Sequence, residues 1–339
     1  MLRARRSSSF TEWDGNLGEL AGGGWLDLKR PVSPTSLESY GVCGYRYFCR
    51  SILRLNTVEE PEEREMMEAA GRGTLIHGIL DAFFREQKER GRPAPGEAWT
   101  GEDLARLLEI VEGHLAEAER RGLTGLDIYS EHERRTMRAD LATFLEEDTA
   151  FRRRTGAVPS EFEAAIPETS IAGVTLRGYV DRVDRTPDGE RAWVIDYKTG
   201  STWDFERIKD DNDPFAGGSK LQLPTYLEAA RDAREVNAAY WFITHKGGFE
   251  FIDYTPTPER QALFQRTMEA IMDGVRAGAF PAVSGEEDEF YGGFENCRYC
   301  DFDRICSRRR DYELAAKIDD DGFLPWRRVG RTARGEDGA

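Results

Sequence analysis

Apolar residues in the first half of the chain recur at helical spacing. The clearest segment is "GRGTLIHGILDAFFREQKER" at 71–90, where apolar side chains three and four residues apart share one helix face. Its apolar residues are Leu75, Ile76, Ile79, Leu80, Phe83 and Phe84. Further helices are predicted at 102–121 and 131–153, and another from an N-cap at Ser36 to about Arg50. The first half is therefore predicted to be mainly helical.

The pattern changes near residue 158. The segments "EFEAAIPE", "VTLRGYVDRVD" and "RAWVIDYKTG" predict strands that are joined by glycine-containing turns. Helices are predicted at 220–233 and 257–278, and a hairpin around Lys246 lies between them. Helices, then a short antiparallel-to-mixed sheet, then helices again predict an α/β core with helical elaborations.

Composition and charge limit the classes of protein to which this chain can belong. The chain has 339 residues, is 39% hydrophobic and carries a net charge of −16. That charge alone argues against nucleic-acid binding, but basic residues cluster at 152–154, 307–310 and 327–334 and leave room for one positive groove. The sequence contains no run of 18 apolar residues, so no transmembrane helix is expected. The basic N-terminus lacks the apolar segment of a secretory signal, so a cytoplasmic location without membrane association is expected.

The segment "VIDYKTG" at 194–200 places an acid and a lysine on one strand face. Asp196 and Lys198 are two residues apart, and alternate strand residues point the same way. The turn at 185–191 pairs this strand with the preceding one, so Asp181 is expected across from Asp196. Two neighbouring carboxylates repel unless a cation separates them, and Mg²⁺ suits oxygen ligands. The alternative is an exposed Asp–Lys pair at a strand end, which contributes little.

Four motifs together resemble a known family. "GYVDRVD" followed by "IDYKTG" is similar to the PD-(D/E)XK nuclease superfamily in its RecB-like branch. That branch has an upstream "G-x-x-x-H" helix, matched here by "GRGTLIHGILDAF", and a later "Q-L-x-x-Y" helix, matched by "LQLPTYLEAA". The motifs occur in the family's order across roughly residues 36–310. The resemblance implies a restriction-endonuclease-like fold, with a central mixed sheet flanked by helices.

The resemblance also implies roles for individual residues. It makes His77, Asp181 and Asp196 ligands of Mg²⁺ or Mn²⁺. It makes Lys198 the catalytic lysine beside them, with Gln222 and Tyr226 steadying the site and the DNA strand. The structural alternatives are a core histidine at position 77 and a buried amide and ring at positions 222 and 226. Two other acids lie nearby in sequence: Glu163, which could face the same pocket, and Asp184, expected to pair at the surface with Arg182 or Arg185.

Five cysteines point to a second metal centre. The number is odd and no secretion signal is present, which argues against a disulfide framework. Cys297, Cys300 and Cys306 lie within ten residues, and Cys43 or Cys49 would supply a fourth thiolate. Four thiolates hold either a [4Fe–4S] cluster or one Zn²⁺, and the spacing does not decide between them.

A closer resemblance favours the cluster. RecB-like nucleases of the AddB type and the CRISPR-associated four-cysteine nucleases have one distant upstream cysteine and a terminal C-x₂-C-x₅-C. The segment "TSLESYGVCGYRYFCR" is similar to the upstream motif and matches Cys43, with Gly44 where the family usually has proline. The resemblance implies a [4Fe–4S] clasp held by Cys43, Cys297, Cys300 and Cys306, and it leaves Cys49 as a small core residue.

The implied function is a metal-dependent DNA nuclease in double-strand break repair. We expect an irregular lead over 1–34, the nuclease domain with its cysteine cluster over 35–310, and a tail over 311–339. The sequence contains no "G-x₄-G-K-[ST]" motif of an ATP motor, so the chain is expected to be either a stand-alone nuclease or a domain that works beside a helicase. Because a helicase partner would thread a single strand to the nuclease, single-stranded DNA is the expected substrate, with exonuclease action. Trp203, Tyr226 and Trp241 are candidates for base stacking, although core packing is the alternative for Trp241. The alternative function is a catalytically silent module that binds DNA or a partner.

Overall fold

A central five-stranded sheet organises the chain. A computed structural model describes residues 1–21, 30–56, 65–287 and 292–336. Its strands are β1 (Val158–Ala165), β2 (Thr169–Ile171), β3 (Val174–Leu176), β4 (Tyr179–Arg185), β5 (Arg191–Lys198), β6 (Glu235–Phe242) and β7 (Phe251–Tyr254). Its α-helices are α1 (Leu2–Arg5), α2 (Gly18–Ala21), α3 (Pro34–Val42), α4 (Gly44–Tyr47), α5 (Ala69–Glu89), α6 (Gly101–Arg120), α7 (Asp127–Thr155), α8 (Gln222–Tyr226), α9 (Pro258–Arg276), α10 (Arg310–Ala315) and α11 (Leu324–Ala333).

The sheet is mixed, with the order β1-β4-β5-β6-β7. Only β5 and β6 run parallel, because the chain crosses back through α8 between them, as a parallel pair requires. Strands β2 and β3 form a separate hairpin. Helices cover both faces of the sheet, which confirms the predicted α/β class with a mixed sheet flanked by helices.

Two hydrophobic cores lie on the two faces of the sheet. The first core joins Tyr40 of α3 and Ile271 of α9 to Val194 of β5. The second core joins Phe83 of α5 and other residues of α5, α6 and α7 to Trp241 of β6. The apolar stripe predicted in 71–90 supplies the second core, with Ile76, Ile79, Leu80, Phe83 and Phe84 buried. Alternation along β5 and β6 therefore divides their side chains between two helical layers.

Two predicted helices differ from the structure. Helix α3 begins at Pro34 with Ser33 as its N-cap, whose Oγ accepts from the Ser36 N–H at 3.2 Å, so the predicted N-cap at Ser36 is wrong. Proline fits the first helical position because its φ is already helical. The helix does not continue to Arg50, because Cys43 adopts extended backbone (φ −161°) between α3 and α4. The helix predicted at 220–233 is likewise shorter, with α8 followed by a 3₁₀ turn at Leu227–Ala230.

A fully buried ion network joins α7 to the sheet. Arg182 of β4 forms ion pairs with Asp184 and with Asp148, whose Oδ1 lies 2.6 Å from its Nη1. Arg152 donates to the other oxygen of Asp148 at 2.8 Å. These four side chains are completely buried. The expected pairing of Asp184 with Arg182 is present, but its predicted surface location is wrong because α7 covers that face of β4.

The two ends of the described chain pack together. Lys317 donates to the carbonyls of Arg5 at 2.6 Å and Ser7 at 2.9 Å. Helix α11 buries Val329 and Ala333 in the first core, so the segment predicted as a tail contributes apolar packing. The division at residues 34 and 310 stays a prediction. Across the described parts of the chain, we find no helix with the length and apolarity needed to cross a membrane.

Candidate active site

Two aspartates meet where β4 and β5 pair. The antiparallel register runs from Arg185↔Ala192 to Arg182↔Ile195, and one further step places Asp181 opposite Asp196. Asp181 Oδ2 accepts from the Tyr197 backbone N–H at 2.6 Å, which fixes this carboxylate against β5. The structure therefore places the two residues at opposite positions of the strand pair, as expected from the hairpin.

Helix α5 brings His77 to the same point. Its Nδ1 lies 2.9 Å from Asp181 Oδ1, and its ring contacts Tyr197 edge-on at 5.9 Å between centroids. One ligand atom from each of His77, Glu163 and Asp181 lies within 4.8 Å of the others, and the described residues contain no other such group of three. Ligands of one ion at about 2.1 Å are at most about 4.2 Å apart, so only a small side-chain adjustment would be needed for all three to reach one divalent ion.

Glu163 is a ligand candidate that the sequence indicates only weakly. The β1–β4 register pairs Phe162 with Arg182 and Ala164 with Val180, which places Glu163 opposite Asp181. Its φ of 46° is unusual for a residue other than glycine, and such backbone strain concentrates at functional sites. Burial raises the pKa of Glu163, and the charges of Asp181 and Asp81 raise it further. The available sequence signal was its position on the strand that precedes and pairs with β4.

A second group of contacts surrounds Lys198. Its ammonium forms an ion pair with Asp196 and donates to Gln222 Oε1 at 3.2 Å. The amide of Gln222 donates to Asp196 Oδ1 at 3.3 Å and to the Tyr226 hydroxyl at 3.0 Å. Asp196 is thus turned toward Lys198 and Gln222 and stands outside the close group formed by His77, Glu163 and Asp181. Its role as a metal ligand stays a prediction.

Burial and neighbouring charges shift the pKa values of Asp196, Lys198 and His77. Burial raises the pKa of Asp196, and the neighbouring Asp181 adds to this, while Lys198 and His77 oppose it. Burial lowers the pKa of Lys198, but the charge and hydrogen bond of Asp196, with the charges of Asp181 and Glu38, together raise it by more, so the net shift is upward. Burial also lowers the pKa of His77, but the hydrogen bond and charge of Asp181 and the charge of Asp196 together raise it by more. The pKa values of the Asp196 and Glu163 carboxyl groups are therefore above their ordinary values, and the raised pKa of the lysine keeps its ammonium charged.

The aromatic candidates lie in different environments. Trp203 is 65% exposed, whereas Trp241 is buried in the second core and Tyr226 is held by Gln222. Tyr179, which sequence reasoning missed, is also 65% exposed. It precedes Asp181 by two residues on β4 and shares its face. The structure thus leaves Trp203 and Tyr179 available for contacts with a ligand.

The cysteines lie in one region without forming a tight set. All five are free of disulfides. Cys43 Sγ accepts from the Val283 N–H at 3.3 Å, and Cys297 Sγ lies 3.8 Å from the Ser284 carbonyl. Burial raises the pKa of Cys43, and Cys306 and Cys300 raise it further. Yet no three thiols lie within 4.8 Å of one another among the described residues, so a tetrahedral zinc site with bonds of about 2.3 Å is not preformed.

Comparison with known proteins gives one family and several relatives. Residues 31–307 match the PD-(D/E)XK nuclease superfamily. Three similar proteins are each named as a subunit of an "ATP-dependent helicase/deoxyribonuclease". They come from Carboxydothermus hydrogenoformans (27% identical, 61% of this chain and 19% of the relative), Moorella thermoacetica (28%, 64% and 20%) and Streptococcus mutans (25%, 62% and 17%). The chain spans about a fifth of the length of these curated relatives.

Proposed function

Since this chain belongs to the PD-(D/E)XK nuclease superfamily, we propose that it is a divalent-metal-dependent DNA nuclease that hydrolyses phosphodiester bonds. The observation that carries the proposal is the meeting of His77, Glu163 and Asp181 beside the ion pair of Asp196 and Lys198. Acid, imidazole and ammonium from three strands and one helix converge at one point. This combination suits a reaction in which a phosphate ester gains negative charge.

The donor atoms fit a hard divalent cation. The two carboxylates suit the hard ions Mg²⁺ and Mn²⁺, the single imidazole is the one softer donor, and the group contains no thiol. We propose that His77, Glu163 and Asp181 hold the ion, with Asp196 as a further ligand if its carboxylate turns from Lys198. When bound, such an ion acidifies a coordinated water and offsets phosphate charge.

Lys198 acts in this proposal as a fixed positive charge. Its raised pKa keeps the ammonium protonated, so it stabilises charge on the phosphate rather than abstracting a proton. Asp196 and the amide oxygen of Gln222 hold the ammonium in place. Tyr226 in turn holds the amide, so its role is positioning and it does not stack on a base.

We propose single-stranded DNA as the substrate and exonuclease action. Trp203 and Tyr179 expose aromatic faces that bases can stack upon, and Tyr179 lies on the face of β4 that carries Asp181. The relatives' name pairs a deoxyribonuclease with a helicase. We therefore propose that this chain works beside a helicase in DNA break repair.

We propose further that Cys43, Cys297, Cys300 and Cys306 hold a [4Fe–4S] cluster. Supporting this, the side-chain amide of Asn296 donates to the Val42 carbonyl at 3.2 Å, so the two cysteine-bearing segments already touch. A four-iron cube spreads its thiolates more widely than a single ion does, in keeping with the open spacing here. Anaerobic purification should give a brown protein with about four irons per chain; a colourless protein with one zinc would overturn the assignment.

The nuclease test compares Asp196→Ala and Lys198→Ala with the wild type on single-stranded DNA in Mg²⁺ or Mn²⁺. Each change should lower kcat by about 100-fold or more, the typical effect of removing one electrostatic stabiliser. Lys246→Ala is the matched control, since Lys246 is an exposed lysine in the turn that follows the neighbouring strand β6 and should leave kcat unchanged. Full activity in both site variants would reject the assignment.

A second set of substrates tests the mode of cleavage and the silent-module alternative. If the enzyme is an exonuclease, a labelled strand blocked at the 5′ or the 3′ end should resist cleavage from the blocked end. Cutting of a circular single strand would instead show endonuclease action. DNA binding without metal-dependent cleavage by the wild type would favour the silent module.

A further inference from the structure

A glutamate from the N-terminal part of the chain reaches the segment that carries Gln222. Glu38 lies on α3, and its Oε1 accepts from the backbone N–H groups of Leu221 at 2.5 Å and Gln222 at 3.0 Å. The two partners are 183 and 184 residues away in sequence. The N-cap residue of α8, Leu221, makes no capping hydrogen bond with its side chain. Glu38 therefore accepts from two backbone N–H groups that the helix itself leaves unpaired.

This contact holds the backbone of the residue whose side chain contacts Lys198. Gln222 contacts Lys198 through its amide oxygen, and Asp196 and Tyr226 through its amide nitrogen. A residue with three such partners can satisfy them together only if its Cα is held in one place. The backbone of Gln222 is held by Glu38, and α3 is itself anchored by the buried Leu37 and Tyr40.

We propose that Glu38 is a positioning residue for Lys198, acting through the backbone of Leu221 and Gln222. This inference rests on the proposed nuclease function, because Lys198 must take part in catalysis for its placement to matter. Glu38 binds neither metal nor phosphate in this proposal; it sets where Gln222 presents its amide.

The length of the side chain matters here more than its charge. Burial raises the pKa of Glu38, and the Leu221 N–H and the charges of Lys220 and Lys198 offset this only in part. A neutral acceptor of the same length can still receive both N–H groups. A shorter carboxylate keeps the charge but withdraws the acceptor by about one C–C bond, or about 1.5 Å.

The test compares Glu38→Gln with Glu38→Asp in the full chain. Glu38→Gln should keep kcat on single-stranded DNA within about threefold of wild type. Glu38→Asp should lose at least about tenfold, because misplacement by about 1 Å costs up to about 100-fold. In both variants KM and Mn²⁺ affinity, measured by calorimetry, should stay within about twofold. Ser39→Ala is the matched control, since Ser39 is the next residue on α3 and its hydroxyl donates to the Ser36 carbonyl of the same helix.

The outcomes separate this inference from the proposed function. Wild-type kcat in Glu38→Asp, or an equal loss in Glu38→Gln, overturns the positioning role while the nuclease assignment stands. Failure of Glu38→Asp to fold, seen in its thermal unfolding, also overturns it in favour of a purely structural role. An inactive wild-type protein overturns the proposed function instead.

Discussion

Asp148→Asn is expected to destabilise the protein strongly, because it breaks a buried charge balance. Two arginines and two aspartates, all fully buried, sum to zero charge. Asp148 accepts from Arg152 at 2.8 Å and from the Trp99 indole at 2.6 Å, and its Oδ1 lies 2.6 Å from Arg182. Asparagine keeps the size but leaves one buried positive charge without a counter-ion.

The magnitude follows from that uncompensated charge. Removing one partner of a buried ion pair costs about 3–5 kcal/mol. Unfolding a chain of 339 residues involves an entropy of about 0.7 kcal/mol/K, at about 2.1 cal/mol/K per residue, so the melting temperature should fall by about 4–7 °C. Urea unfolding followed by tryptophan fluorescence should show a lower midpoint at an unchanged slope.

Asp232→Asn provides the matched control. Asp232 also pairs with an arginine, Arg185, at 3.0 Å, but it is 73% exposed. Exposed pairs contribute at most about 1 kcal/mol, so this variant should melt within about 1–2 °C of wild type. Equal destabilisation by Asp148→Asn and Asp232→Asn would refute the reasoning that burial makes the network essential.

The pH dependence of stability gives a second test of the same buried ion network. Burial alone would raise the pKa of Asp148, but the charges of Arg182 and Arg152, together with the hydrogen bonds from Arg152 and Trp99, outweigh it and hold this pKa below its ordinary value of 3.8. The unfolded chain therefore takes up the proton first, and the stabilisation is present above about pH 4 and lost as the pH falls. The difference between wild type and Asp148→Asn should be full at about pH 7 and shrink below about pH 4.

Three further outcomes are expected. Glu163→Gln should weaken Mn²⁺ binding by about 10-fold or more in calorimetry, whereas Glu161→Gln on the same strand should not; equal affinity in both would remove Glu163 from the ligand set. Cys43→Ser should yield a colourless protein with a lower iron content, while Cys49→Ser should stay brown. A brown Cys43→Ser and a colourless Cys49→Ser would instead make Cys49 the fourth ligand. Trp203→Ala should weaken single-strand binding by about 1–3 kcal/mol, or about 5- to 150-fold, at unchanged melting temperature; unchanged affinity would exclude base stacking there.

The sequence by itself determined the elements whose signal is local. Helical spacing located α5 and its buried face, and alternation placed Asp196 and Lys198 on one side of β5. The short turn between β4 and β5 was enough to bring Asp181 opposite Asp196. Each of these inferences needs only the period of one element or the reach of one turn, which neighbouring residues fix.

Only the tertiary structure decided the contacts made between distant segments. The register of β1 on β4 set Glu163 against Asp181, and the cover of α7 buried Asp184 with Arg182 rather than leaving it at the surface. Glu38 met the backbone of Gln222 across 184 residues. No local pattern encodes these contacts, because each depends on how whole helices pack against the sheet, and packing is decided by the sum of many weak interactions rather than by any one residue.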